Sequence, residues 1–308
     1  MPPFRFAVQL DNAPSASAWR DQVRRVEELG YSTVFLPDHF GEQLAPMVAL
    51  ATAAEATTTL RVGTLVLGND YRHPLVLAKE AATLDLLSDG RLELGIGAGW
   101  MTTDYEQSGI ELDTPAVRVE RLGEAVAVLK ALWAGEGEFK GRHYTVTGAT
   151  GAPNPVQQPH PTLLIGGGSR RVLELAGREA DVVGLNPRLT EGYIGPQSLA
   201  SITPAQYDER LAWVRQGAGP RFDDIELQCL TFFVRVVPNG REVLEDTARL
   251  FSLPVDEAAQ VPLALIGSVA EITEQLAERR RRWGMSYWVV HQAEMEDFAP
   301  VVAAVAGT

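Results

Sequence analysis

Short β-branched or apolar runs alternate with amphipathic stretches from one end of the chain to the other. The runs that read as strands are RFAVQL (5–10), STVFLP (32–37), LRVGTLVL (60–67), RLELGIG (91–97), TLLIGG (162–167), ADVVGL (180–185), ELQCLTFFV (226–234) and SYWVVH (286–291). Helical periodicity fills the intervals: Trp19, Val23 and Val26 recur at i, i+4, i+7, opposite Arg20, Arg24, Arg25 and Glu28. Val119, Leu122, Val126, Leu129 and Trp133 draw the same stripe later, as do Val269, Ile272 and Leu276. Strand followed by helix, eight times over, predicts an α/β protein built as a closed (β/α)8 TIM barrel, with 1–308 as one domain. Two stretches break the rhythm. Residues 137–148 alternate Phe139, Tyr144 and Val146 around a Gly-Arg turn, which predicts a short hairpin. Residues 187–204 carry Gly and Pro without periodicity, which predicts a loop over the barrel mouth.

Composition narrows the classes. With 45% hydrophobic and 22% charged residues over 308 positions, the chain has the material for a large core. Cys229 is the only cysteine, which excludes an intramolecular disulfide, a CxxC redox pair and a cysteine-rich zinc site. The start, MPPFRFAVQLDN, lacks the basic and apolar regions of a leader, and no apolar run is long enough to span a bilayer, so a reducing cytoplasm is expected. A net charge of −13 argues against nucleic acid and against an anionic membrane as partners, leaving a small molecule.

In such a barrel, polar residues that end a strand face the substrate. Gln9 and Asp11 end the first run, Asp38 and His39 the second, Asn186 the sixth and His291 the eighth. Imidazole titrates near neutrality, and a neighbouring carboxylate can fix its tautomer, so Asp38–His39 reads as an acid/base pair or as a polar corner capping the next helix. The glycines of GIGAGW (95–100) permit close approach of backbone to a planar ligand or serve a tight turn; Gly97, Gly99 and Trp100 are the exposed candidates. More informative is IGGGSRRVLELAG (165–177). Three glycines lead into a helix opened by Ser169, Arg170 and Arg171, so free N–H groups, the positive dipole end and two guanidiniums make a phosphate site of Gly167, Gly168, Ser169 and Arg170. Residues 279–282 are read as a solvated helix end, Trp133, Trp213 and Cys229 as core. No metal site is expected, since His143 and His160 have no carboxylate at ligand spacing.

Taken together, ELGYSTVFLPDHF (28–40), the long block from Leu60 through Trp100, the GGGSRR turn and the closing GSVAEITEQLAERRRRWGMSYWVV resemble the bacterial-luciferase-like family of flavin- and deazaflavin-dependent oxidoreductases, over nearly the whole chain. The resemblance implies an isoalloxazine or its 5-deaza analogue at the strand ends, with phosphate at 167–170, and a homodimer. It also implies a bulged third strand with a non-prolyl cis peptide at Leu65–Val66 behind the central ring, which adds Thr64, Leu65 and Val66 to the cofactor-binding set. Asp-His after the second strand is similar to the branch using coenzyme F-420, in which His39 would lie near hydride transfer and Arg170, Arg171 and Arg72 would meet the anionic tail. The branch's sugar-phosphate dehydrogenases carry a tryptophan where this chain has Gln43 and an acid where it has Trp100, so glucose 6-phosphate is rejected and Trp100 suggests an aromatic wall. Three functions follow: hydride transfer between F-420 and a small organic substrate, with Gln9, Asn186 and His291 in the substrate pocket; an FMN-dependent monooxygenase; or an idle cofactor-binding barrel serving as a partner subunit.

Overall fold

Six of the eight predicted runs become one strand each, within a residue or two of their predicted ends, and the runs 60–67 and 226–234 each divide in two. The computed structural model describes residues 2–189 and 191–308. Its strands are β1 (Arg5–Gln9), β2 (Thr33–Leu36), β3 (Arg61–Thr64), β4 (Leu92–Gly97), β5 (Thr162–Gly167), β6 (Val182–Leu185), β7 (Glu226–Leu230) and β8 (Met285–His291). They pair in parallel in the order β3-β2-β1-β8-β7-β6-β5-β4, and Val62 opposite Leu92 closes β3 onto β4, completing the (β/α)8 barrel. The outer ring is α1 (Ala16–Glu28), α2 (Pro46–Ala56), α3 (Pro74–Leu87), α4 (Pro115–Trp133), α5 (Arg170–Glu179), α6 (Pro204–Ala218), α7 (Val269–Trp283) and α8 (Met295–Val305). The hairpin forms, Phe139–Lys140 against Thr145–Val146. Among the described residues no helix is long and apolar enough to cross a membrane.

Three readings are corrected. The run 226–234 is not one strand: β7 stops at Leu230, Thr231 binds Val289 O through both its N–H and its hydroxyl, and Phe233–Val236 turns out to pair with Ala264–Gly267. An apolar run carries no mark of where a strand leaves one sheet for another. Arg279 does not share the solvated face of its neighbours. It is buried and donates to Ala264 O (2.7 Å) and Ala259 O (3.2 Å), tying the segment that leads into the strand Ala264–Gly267 to α7. Within 187–204, Pro196–Ala200 forms a short helix and Pro204 already begins α6.

The N-terminal end of the barrel is plugged by charge. Glu93 is wholly buried and receives Arg5 (2.7 Å), Arg61 (2.6 Å) and the Tyr287 hydroxyl (3.0 Å). Burial alone would push its carboxyl upward, but the two guanidiniums outweigh it and hold it below the ordinary range. Arg5 also reaches Glu226 at 2.7 Å. This end is closed, so a ligand can enter only at the other.

Candidate active site

The opposite end opens into a cavity of about 840 Å³ walled by the strand ends and their loops. Its floor is set by an irregularity in the third strand. β3 ends at Thr64, pairing resumes at Leu67–Gly68, and the register against β4 slips by one residue across the gap. The peptide bond inside the gap, Leu65–Val66, is cis, at the position the resemblance implies. Gln9 donates to Leu65 O (3.2 Å), so the end of β1 steadies the bulge. Val66 then lies so near β4 that a Cβ at Gly97 would sit 2.8 Å from its side chain; glycine here is a steric requirement of the bulge. Leu65, Val66, Gly97, Gly99 and Trp100 all line the cavity. Thr64 does not belong with them. It is fully buried, exchanging hydrogen bonds with Gly95 O (2.7 Å) and Gly95 N (2.9 Å), and ties β3 to β4 beneath the cavity.

Asp38 and His39 diverge at the end of β2. Asp38 turns inward to accept Arg72 through both oxygens (2.5 and 2.9 Å) and the Gly68 N–H (3.0 Å). His39 meets a different carboxylate: its Nδ1 lies 2.6 Å from Asp104 Oδ2. Asp104, buried at the start of the short helix Thr102–Ser108, also accepts the Tyr71 hydroxyl (3.2 Å) and the Phe40 N–H (3.3 Å). A carboxylate held by two other donors only accepts, so the Nδ1 proton is fixed toward it. Nε2 of His39 has no protein partner among the described residues, and the ring borders the cavity, edge-on to Trp100 with centroids 5.7 Å apart. Asp104 escaped the sequence reading because adjacency favoured Asp38. The available signal was an acid opening a helix four residues after Trp100.

The glycine turn after β5 forms as expected. Gly167, Gly168 and Ser169 line the cavity, and Ser169 occupies the N-cap of α5 without spending its hydroxyl on the helix. The first-turn N–H groups of α5 therefore point outward toward the same turn. A Cβ at Gly168 would meet Pro187 O at 2.2 Å, so the turn is pressed against the segment that follows β6. The arginines behave otherwise than expected. Arg170 is exposed and holds Glu174 (2.6 Å) and Gln216 (3.2 Å), away from the cavity; the i,i+4 pairing along its own helix claims it. Arg171 is exposed at an outer groove, and Arg72 is committed to Asp38. Arg118, which does border the cavity, donates to Gly99 O and to Asp113 O (3.0 Å).

Asn186 and His291 both face the cavity, as do Asp11 and Gln43. Burial lowers the His291 pKa, and its ring lies beside Phe232, with centroids 5.5 Å apart. Phe232, Leu230, Met101 and Ile194 extend the apolar wall begun by Trp100. Cys229 is fully buried and its thiol is pushed up to about 12 by that burial, so it is inert. Trp133 is core as expected, whereas Trp213 is only half-buried, under Arg188.

A barrel with its charged end plugged, and its open end carrying an apolar cavity, a glycine turn leading into a helix N-terminus and a carboxylate-held histidine, is of the cofactor-binding class of (β/α)8 proteins. The chain belongs to the luciferase-like monooxygenase family, whose model matches residues 1–308. It is 30% identical over 181 residues to the oxygenase component of the flavin-dependent trigonelline monooxygenase of Acinetobacter baylyi, covering 59% of this chain and 46% of that protein. It is 34% identical over 166 residues to the F-420-dependent glucose-6-phosphate dehydrogenase of Amycolatopsis mediterranei, covering 51% of this chain and 49% of that one. The chain thus spans about half the length of the curated relatives it matches. Among solved structures, the coenzyme F-420-dependent tetrahydromethanopterin reductase of Methanopyrus kandleri superposes with a TM-score of 0.78 at 17% identity, covering 99% of this chain and 98% of that one. A long-chain alkane monooxygenase superposes with a TM-score of 0.76 at 15% identity, covering 99% and 91%. At these identities the structural likeness concerns the fold.

Proposed function

We propose that this chain is an oxidoreductase that binds coenzyme F-420 in the strand-end cavity and passes a hydride between it and a small, uncharged, largely apolar organic substrate. The observation that carries the reading is His39: Asp104 holds its Nδ1 proton, leaving Nε2 facing the cavity as the atom that takes up or returns a proton. The residues present suit such a group. The bulge at 65–66 and Gly97 make a close-fitting wall for a planar ring, and the turn 167–169 with its helix N-terminus suits a phosphate. The deazaflavin, when bound, supplies hydride chemistry and reacts little with oxygen. Trp100, Phe232 and Ile194 make the substrate side apolar. No sugar phosphate is expected there, because Arg72, Arg118 and Arg170 are each engaged by protein acceptors.

The second reading, an FMN-dependent monooxygenase, draws on one specific observation. With Arg72 and Arg170 occupied, fewer cations remain for the longer anionic tail of F-420, which favours the shorter FMN. Anaerobic titration by absorbance and fluorescence separates the two. Saturable micromolar binding of F-420 and not of FMN supports the first reading; the reverse supports the second, and binding of neither sinks both. We also place the protein in the cytoplasm and, because Val48, Val76 and Leu87 expose an apolar face across the adjacent helices α2 and α3, as a homodimer through that face.

A further inference from the structure

Arg210 lies in the middle of α6 with no exposed surface, and among the described residues no carboxylate is within ion-pair distance of it. Its Nη2 donates to Ser201 O at 2.5 Å, its Nε lies 3.5 Å from Gly168 O, and its Nη1 has no partner. The guanidinium sits 5.0 Å from the centroid of the Tyr207 ring. The nearest acid in sequence, Glu209, is turned outward to Arg188. A buried cation is costly unless its donors are satisfied, and where the buried Arg279 finds carbonyls alone without leaving a nitrogen over, Arg210 keeps Nη1 unsatisfied, a donor that a negative charge nearby would offset.

The position of Arg210 identifies that charge. Gly168 is the centre of the turn between β5 and α5, its carbonyl faces Arg210, and the turn's other side borders the cavity through Gly167, Gly168 and Ser169. Ser201 belongs to the segment that crosses the mouth after β6. Arg210 thus grips the turn and the mouth segment from behind, while the α5 N-terminus and the unused Ser169 hydroxyl address the same turn from the front. All three are donors or positive ends, and among the described residues no carboxylate is in contact with Arg210 or with the Ser169 hydroxyl.

We propose that Arg210 is the buried counter-charge and positioning residue for a phosphate-type anion held at the 167–169 turn. It acts through the Gly168 carbonyl and its own field rather than by touching the ligand. Low polarisability around it makes that field reach farther than an exposed arginine's. The inference rests on the cofactor reading above in that the anion is there taken to be the cofactor's phosphate.

The test compares ligands with and without phosphate: FMN against riboflavin, and F-420 against its phosphate-free deazaflavin core. R210Q, which keeps hydrogen-bonding capacity but not charge, should weaken the phosphorylated ligand roughly tenfold or more and leave the phosphate-free one within twofold. R210K, which keeps charge but not the planar fork, should restore most of the difference. Equal loss for both ligands, or no loss for either, overturns the proposal. If R210Q does not fold, by circular dichroism, R210K decides: discrimination in favour of the phosphorylated ligand must persist in it. If the natural protein binds none of the four ligands, the cofactor reading fails separately, and inorganic phosphate becomes the probe. It should raise the melting temperature of the natural protein above that in chloride of equal ionic strength, and not that of R210Q or, if R210Q does not fold, should do so in R210K. Absence of that protection overturns the proposal.

Discussion

His39 illustrates how little of a residue's role lies in its own side chain. Its Nδ1 is spoken for by Asp104 at 2.6 Å, and Asp104 is in turn held by Tyr71 and the Phe40 backbone, so the imidazole has one orientation and one available nitrogen. Asp38, its neighbour in sequence, is part of a different assembly with Arg72 and Gly68. The two carboxylates should separate cleanly under mutation. H39A should lower kcat by roughly 10²–10⁴ with cofactor affinity within a few-fold, and D104N by a smaller factor, about 10–100, because the ring loses its fixed tautomer. D38N should instead destabilise the fold, by about 3 kcal/mol, since it leaves Arg72 half-buried without its ion pair. Single-turnover kinetics and denaturant melts on the same three variants check this; a D38N protein of normal stability and low kcat would reverse the assignment.

At the scale of elements, function depends on how strands and helices end. The α5 N-terminus is left uncapped by Ser169, which keeps its donors available to a ligand. S169D would place a carboxylate there and cap the helix, so the protein should melt slightly higher while losing ~1–3 kcal/mol of binding to a phosphorylated cofactor. Unchanged affinity would remove the turn from the binding site. A different element boundary is held by Glu27 near the end of α1, which accepts the N–H groups of Thr58, Thr59 and Leu60 and so anchors the entry to β3. Partial burial pushes its carboxyl upward, but those donors outweigh it and bring the pKa from 4.5 to about 2. A depressed folded pKa means that the stabilisation is complete above about 4.5 and is lost as pH falls through 2. E27Q should therefore melt lower at pH 7, by about 1 kcal/mol once solvent screening is allowed for. The gap should narrow as the pH is lowered below 4.5; a gap that stays constant with pH would mean that the charge is not what anchors the loop.

For the molecule as a whole, the barrel divides into a closed half and an open half. Glu93, Arg5, Arg61 and Tyr287 fill the N-terminal end with a satisfied ionic network, and the cavity opens at the strand ends opposite. Outside the barrel, α2 and α3 leave large apolar side chains exposed. Val48 is 70% exposed and Leu87 68%, and with Val76 they form an unpartnered apolar surface on neighbouring helices. Charge placed there should prevent self-association without disturbing the cavity. L87E combined with V48K should sediment as a monomer where the natural chain sediments as a dimer, and should keep its cofactor affinity. A monomeric natural chain, or a double variant that remains dimeric, would move the interface elsewhere.

The alternation of apolar runs and helical stripes, repeated eight times, determined the barrel without help, because each strand needs only its own residues and a following helix to cover it. Turn chemistry was local too: the 167–169 turn and the hairpin stand where their own sequences place them, and the Leu65–Val66 bulge stands where the family resemblance implies it. What needed the tertiary structure was partnership across distance. Asp104 lies sixty-five positions from His39, Arg72 thirty-four from Asp38, and Arg210 forty-two from Gly168, separations at which no local pattern marks the pair. The barrel also decided which charges are buried, so that Arg279 and Glu93, unremarkable among their neighbours in sequence, became interior groups while Arg170, aimed by its motif at a phosphate, was drawn to Glu174. Periodicity is a property of adjacent residues and survives in one dimension; an ion pair is set by which strand ends the closure of the ring brings together.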